Sequence, residues 1–231
     1  MYYITGDIHG DIRSLIYLID VYGLTNNDTI VLLGDVGLNF FRDEIEEKKK
    51  EILNNTNVQF LCIHGNHEIR PYDISTYKEC EWHKGIVYRE SKYKNINFAK
   101  DGEIYELGGI KAISIGGAYS VDKRERIKTG KYWWSNEQPS KETKKHVEDV
   151  LAKNNWKIDT VFSHTCPERY IPIEAFINGI NQNDVDRSTE KWLENIENKL
   201  TYKNWYCGHW HINKRIDKMY FLFNGIVELR H

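Results

Sequence analysis

Five short apolar runs constrain this chain most, because each one ends in a side chain able to hold a metal ion. Tyr2-Tyr3-Ile4-Thr5 leads into Gly6-Asp7-Ile8-His9, and Thr29-Ile30-Val31-Leu32-Leu33 into Gly34-Asp35. Phe60-Leu61-Cys62-Ile63 leads into His64-Gly65-Asn66-His67-Glu68. Val161-Phe162-Ser163 leads into His164, and Trp205-Tyr206-Cys207 into Gly208-His209-Trp210-His211. Apolar runs this short read as strands buried on both faces. In open α/β sheets, ligands bind beyond the carboxyl ends of the strands. A glycine before the donor lets the backbone turn sharply and pass close to a neighbour. Asp7 and His9 stand two apart, as do His209 and His211. In an extended segment such residues project the same way, so each pair is expected to serve one site together.

The donors are two carboxylates (Asp7, Asp35), one amide (Asn66) and four imidazoles (His9, His164, His209, His211). They are too many for one ion and suit two ions sharing a carboxylate. Mixed oxygen and nitrogen donors without thiolate fit two divalent transition-metal ions, manganese first, with iron, zinc, cobalt or nickel as alternatives. Two such ions outweigh the two Asp charges. The resulting positive centre favours an anionic substrate, and phosphate esters are the obvious class.

The spacing between runs sets the expected architecture. Asp11–Val21 carries apolar residues at helical spacing, and residues 42–53 read as a polar helix. The first third is therefore a βαβαβ unit with a parallel sheet. Residues 86–90, 96–99, 104–107 and 111–115 read as an antiparallel, hairpin-rich sheet. Residues 140–153 form a helix with Ser140 as N-cap. Strand 160–163, helix 188–200, strand 205–207 and a hairpin across 212–228 follow. No linker-like stretch interrupts the chain, so residues 1–231 are expected to form one α/β domain with two sheets packed face to face.

With 231 residues the chain can bury a sizeable core, and its formal net charge of -2 argues against a surface built to hold nucleic acid or anionic lipid. The four cysteines form no C-x-x-C pair and suit free thiols in a reducing compartment. No secretory leader pattern opens the chain and no apolar run reaches membrane-spanning length. A cytoplasmic setting without membrane contact is expected. The Lys-, Ile- and Asn-rich composition points to an AT-rich bacterial or phage genome.

The blocks Gly6-Asp7-Ile8-His9, Gly34-Asp35, Gly65-Asn66-His67-Glu68, His164 and Gly208-His209-Trp210-His211, in that order, resemble the calcineurin-like metallophosphoesterase superfamily. The resemblance implies a four-layer αββα sandwich with two mixed β-sheets and a metal site at the strand C-terminal ends. It implies Asp7, His9 and His211 as ligands of a first metal, Asn66, His164 and His209 as ligands of a second, and Asp35 as the bridging carboxylate. It implies His67 as a catalytic group that is not a ligand and protonates the leaving oxygen. The implied reaction is attack of metal-bound hydroxide on a phosphate mono- or diester of a nucleotide or other small molecule.

The chain departs from the Ser/Thr phosphatase pattern G-D-x-V-D-R-G, since Leu38 and Asn39 stand where that pattern has Asp and Arg. A protein Ser/Thr phosphatase is thus the second reading, a non-catalytic partner-binding scaffold the third, and a nuclease the fourth. No dedicated nucleic-acid-binding domain is apparent in the pattern, and no protein partner is indicated. Candidates to replace the missing Arg are Arg70 first, by its nearness to His67, then Arg13, Arg187, Arg124 and Arg126. Residues 117–139, with Tyr119 as a substrate contact, read as a loop closing over the substrate. His64 is expected in the core, His83, His146 and His231 at the surface, and Glu46-Glu47-Lys48-Lys49-Lys50 as a solvated helix face.

Overall fold

The structure is a computed structural model that describes residues 1–230; His231 lies outside the described residues. The chain runs β1 (Tyr2–Thr5), α1 (Ile12–Tyr22), β2 (Thr29–Leu32), α2 (Glu44–Asn55), β3 (Gln59–Cys62), β4 (Tyr77–Trp82), β5 (Gly85–Glu90) and β6 (Ile96–Ala99). It continues through β7 (Ile104–Leu107), β8 (Ile110–Ile115), α3 (Lys123–Thr129), α4 (Lys141–Lys153), β9 (Thr160–Ser163) and α5 (Ser188–Glu197). It ends with β10 (Asn204–Cys207), β11 (Lys214–Ile216), β12 (Met219–Phe221) and β13 (Ile226–Glu228). One sheet has the order β13-β1-β2-β3-β6-β5-β4, the other β11-β12-β10-β9-β8-β7.

Strand alternation builds three apolar layers from these two sheets. Ile30 and Leu32 of β2, and Phe60 and Cys62 of β3, face α1 and α2, where Leu15, Ile19 and Leu53 pack. The intervening Val31 and Leu61, with Leu33 and Ile63 just past the strands, face the second sheet and meet Phe162 and Tyr206. Ile113, Val161 and Trp205 on the far side of the second sheet meet Val147 and Leu151 of α4 and Leu193 of α5. This is the αββα sandwich. Caps match the sequence: Ser140 Oγ accepts the Thr143 N–H at 3.1 Å, and the Asp11 carboxylate accepts the Arg13 N–H at 3.2 Å.

Three expectations fail, each for a tertiary reason. The middle strands do not form one antiparallel sheet. They divide between the two sheets, β6 pairing parallel with β3 and β8 parallel with β9. The C-terminal stretch is not one hairpin: β11 and β12 pair, but β13 crosses to the first sheet and runs antiparallel to β1. The charged run in α2 is not wholly solvated, because residues 46, 50 and 53 share the face turned inward. Glu46 is buried and accepts the N–H groups of Phe40, Phe41 and Arg42, while buried Lys50 pairs with Glu90 at 2.7 Å. Among the described residues no helix is long and apolar enough to cross a membrane.

Leu61, fully buried between the sheets, tests the layer assignment. Leu61→Ala is expected to lower unfolding free energy by about 2–5 kcal/mol, read from the urea midpoint at unchanged m-value. A loss under about 0.5 kcal/mol would contradict tight sheet-on-sheet packing at this point.

Candidate metal centre

The donor side chains meet where β1, β2, β3, β9 and β10 end. Two groups form. In the first, the ligand atoms of Asp7, His9 and His211 lie within 4.8 Å of one another. His9 Nε2 stands 2.9 Å from His211 Nε2, which stands 3.3 Å from Asp7 Oδ2. In the second, Asn66 Oδ1 lies 2.8 Å from His164 Nε2 and 3.0 Å from His209 Nδ1. Asp35 Oδ1 is 3.7 Å from His164 Nε2, and Asp7, Asp35 and His164 again bring one atom each within 4.8 Å. The carboxylates therefore lie at the junction of the two groups.

His209 and His211 do not serve one group, as their spacing suggested. His209 turns to Asn66 and His211 to Asp7, because neither is extended: φ is 65° at His209 and 51° at His211. His9 (φ 44°) and Asp35 (φ 47°) are also left-handed, a conformation that costs non-glycine residues about 1–3 kcal/mol and clusters at functional sites. The preceding glycines answer a different need. A Cβ at Gly65 would lie 2.0 Å from Asp35 Oδ1, and one at Gly34 2.1 Å from His164 Nδ1. At Gly65 the donor that crosses the backbone comes from the neighbouring strand, and at Gly34 it comes from the opposite sheet.

The hydrogen bonds fix how the donors point. His164 Nδ1–H donates to the Leu33 carbonyl at 2.7 Å, so in the neutral ring Nε2 carries the lone pair. Asn66 Nδ2 donates to Ser120 Oγ at 2.9 Å, which turns Oδ1 toward the imidazoles. With the ring neutral, two lone pairs face each other at 2.8 Å, an arrangement that a proton or a metal ion shared between them relieves. Asp7 Oδ2 is buried with no hydrogen-bond partner, while Oδ1 accepts the His209 N–H at 2.9 Å. Neighbouring donors of an ion bound at about 2.1 Å stand about 3 Å apart, so these separations suit a pair of divalent ions.

Electrostatics agree. Burial, the largest influence on Asp35, pushes its pKa up, but the imidazoles of His164, His67 and His9 outweigh it and the carboxyl is lowered. Burial holds His209 well below the ordinary histidine value, favouring the neutral ring. His67 is lowered chiefly by burial, against the upward pull of Asp35. Its ring is not within the donor groups: Nε2 stands 3.9 Å from Asp35 Oδ2, and the His67 backbone N–H donates to Asp35 Oδ1 at 2.8 Å.

Of the basic candidates, Arg126 reaches the centre, lining a cavity of about 250 Å³ with His9, Asp35 and His67. Tyr119 lines a second cavity against Asp35, Asn66 and His67. Arg13 sits at the rim beside His9, bound to Asp11 at 2.8 Å. Arg70 is turned away, its guanidinium taken by Asp101 at 2.6 Å and the Asn136 carbonyl at 2.8 Å. Arg124 is exposed and paired with Asp184, and Arg187 lies over Phe176. His64 is buried, as its position implied. Two groups were missed. Lys49 lines the Arg126 cavity, and helical spacing from Glu46 was the available signal. Asp122, whose charge acts on His67 and whose Oδ2 holds Arg126 Nε at 2.7 Å, gave no local signal.

Residues 2–213 match the family model described as calcineurin-like phosphoesterase. Among solved structures, the phosphopantetheinyl hydrolase (PptH) from Mycobacterium tuberculosis is 12% identical with a TM-score of 0.52, covering 96% of this chain and 87% of that one. That likeness is one of fold. The protein of unknown function AQ665 from Aquifex aeolicus is 15% identical with a TM-score of 0.36, covering 71% of this chain and 80% of that one. No curated protein matches the sequence.

Glu190, beside the centre, accepts Thr165 Oγ1–H at 2.9 Å, and burial pushes its pKa from 4.5 up to about 7. The folded state therefore keeps this proton longer than the unfolded state. Stability contributed by the neutral carboxyl is present below pH 4.5 and is lost as pH rises toward 7, by up to about 3 kcal/mol. Glu190→Gln has no proton to lose, so its Tm relative to wild type should rise between pH 5 and pH 8. An equal difference at both pH values would show an unperturbed carboxyl.

Proposed function

The chain belongs to the calcineurin-like phosphoesterase family, whose members typically bind two metal ions, and we propose that it hydrolyses phosphate mono- or diesters. The observation that carries this reading is the facing donor atoms of Asn66 and His164 at 2.8 Å beside the buried Asp7 Oδ2, which has no hydrogen bond and faces His211 Nε2. In this reading Asp7, His9 and His211 hold one ion, Asn66, His164 and His209 the other, and Asp35 bridges them. Manganese, iron, zinc, cobalt or nickel suits the donor set. We read residues 1–231 as one domain on the ground that the donors come from both sheets.

When bound, the two ions supply Lewis acidity toward phosphoryl oxygens and lower the pKa of water. The protein's own groups then have distinct tasks. The water oxygen forms a bond to phosphorus as the bond to the alcohol oxygen breaks; water gives up one proton and the alcohol gains one. His67, beside Asp35 and facing both cavities, donates to the leaving oxygen, a role typically worth about 10²–10⁴-fold. Arg126 takes the part of the missing arginine and holds a phosphoryl oxygen, with Asp122 orienting it. Leu38 and Asn39 are fully buried and present no acid or guanidinium to a phosphopeptide, which favours small phosphate esters.

The deciding experiment is turnover of bis-p-nitrophenyl phosphate and p-nitrophenyl phosphate with added Mn. Wild type is expected to be active and silenced by chelation, and Asp35→Asn to lose about 100-fold or more while keeping its circular dichroism. Near-wild-type turnover by Asp35→Asn would overturn the bridging role.

A separate measurement addresses the guanidinium. A charge-assisted hydrogen bond is worth about 1.5–3 kcal/mol. Arg126→Ala should therefore raise KM and the inhibition constant of inorganic phosphate together, by about 10–100-fold, with partial recovery in Arg126→Lys. An unchanged phosphate inhibition constant would remove Arg126 from the site.

A further inference from the structure

The two cavities that meet at Asp35 and His67 differ in chemistry. The one bearing Arg126 also carries Lys49, with Asp35 and Glu46 beside them, and is lined mostly by charged and polar groups. The other, of about 440 Å³, has no Lys or Arg in its lining and faces Asn66, His209 and His211. Its far wall is apolar. Phe176, Ile180 and Val185 come from the loop between β9 and α5, and Trp210 and Ile212 from the loop after β10. The Phe176 and Trp210 rings lie 6.3 Å apart at an angle of 39°. Ile177, also lining the cavity, is 63% exposed, so an apolar surface stands open at the mouth.

The wall is built rather than loose. Arg187 lies 5.6 Å over the Phe176 ring and donates to Gln182 at 3.2 Å. Gln138 donates to Asp186 at 3.0 Å and accepts Thr189 Oγ1–H at 2.7 Å, tying this loop to the 117–139 segment. Polar groups sit at the cavity's edge: Gln182, and Glu190, which is buried and has one oxygen, Oε2, without a hydrogen-bond partner.

The lining selects among phosphate esters. A sugar or glycerol arm would turn hydroxyls against Phe, Ile and Val, at a cost of about 1–3 kcal/mol for each one left unpaired. A phosphopeptide would leave backbone N–H and C=O groups unmatched there. An alkyl chain would gain nothing from Gln182 or Glu190. A flat heteroaromatic ring satisfies both parts, one face lying against the apolar wall that Phe176 and Trp210 form together and its edge toward the polar groups, and the volume is that of a small-molecule site. Resting on the phosphoesterase reading above, we infer that this cavity receives a nucleobase-sized heteroaromatic group, so that the substrate is a nucleotide rather than a sugar, glycerol or protein phosphate.

Binding tests this apart from turnover. Adenosine and uridine, titrated by calorimetry into the full-length chain, should bind saturably where ribose does not. Ile180→Glu, which sets a charge in the apolar wall, and Phe176→Ala should each weaken binding by about tenfold or more at unchanged circular dichroism. With Mn present, nucleoside monophosphates or 2′,3′-cyclic phosphates should exceed glycerol 3-phosphate in kcat/KM by about tenfold or more. Nucleoside binding no better than ribose, or hexyl phosphate outcompeting the nucleotides, overturns the inference and leaves the phosphoesterase reading standing. Nucleoside binding without turnover of any ester, p-nitrophenyl esters included, supports the cavity assignment and sinks the phosphoesterase reading instead.

Discussion

The carbonyl of Leu33 at the end of β2 takes the Nδ1–H of His164 at the end of β9, and the candidate centre depends on this bond between the two sheets. It selects the tautomer, so the lone pair of Nε2 points at Asn66 and not into the core. A metal-binding imidazole needs such an outer partner to hold its ring and its tautomer. Here that partner is backbone, which neither titrates nor rotates. The spacing of the two donor groups is therefore set by how the sheets stack, and the apolar layer between them, with Leu33 and Phe162 on either side, fixes that stacking.

The strand ends carry the strain that this arrangement requires. His9, Asp35, His209 and His211 all adopt left-handed backbone, which Asp and His tolerate better than most residues but still enter at a cost. The conformation brings donors from separate strands to within 4.8 Å and leaves Asp7 Oδ2 buried without a hydrogen bond, 3.3 Å from His211 Nε2. A buried carboxylate short of hydrogen bonds is costly. A cation held there would relieve both the carboxylate and the facing lone pairs, and would couple ion binding to folding through the same few atoms.

The 117–139 segment does more than cover the centre. Ser120 orients the Asn66 amide, and Asp122 holds Arg126 beside His67. Phe40 packs edge-on against Tyr132 and Trp134, with the Arg126 guanidinium 5.9 Å from its ring. This segment thus supplies Tyr119 and Asp122 to one cavity beside Asp35 and His67, and Arg126 to the other.

The donors themselves were legible in the sequence, because donor chemistry is a property of single side chains and five strand-end motifs in order leave little freedom. Two sheets packed face to face were legible too, from short apolar runs bounded by turn residues, and the αββα layering came with the family resemblance. Sheet membership was not. β4, reading Tyr77-Lys78-Glu79-Cys80-Glu81-Trp82, is a charged edge strand with no apolar signature, and β6, β8 and β13 were assigned by pairing across long sequence distances. The split of His209 from His211 came from left-handed backbone that spacing does not encode. Nor could sequence proximity choose among arginines: Arg70, three residues from His67, is captured by Asp101, while Arg126, far along the chain, arrives on α3. Residue chemistry and strand periodicity are local and are written in the chain. Which charges are neutralised by a neighbour, and which remain to meet a substrate, depends on distances that exist only after the two sheets have packed.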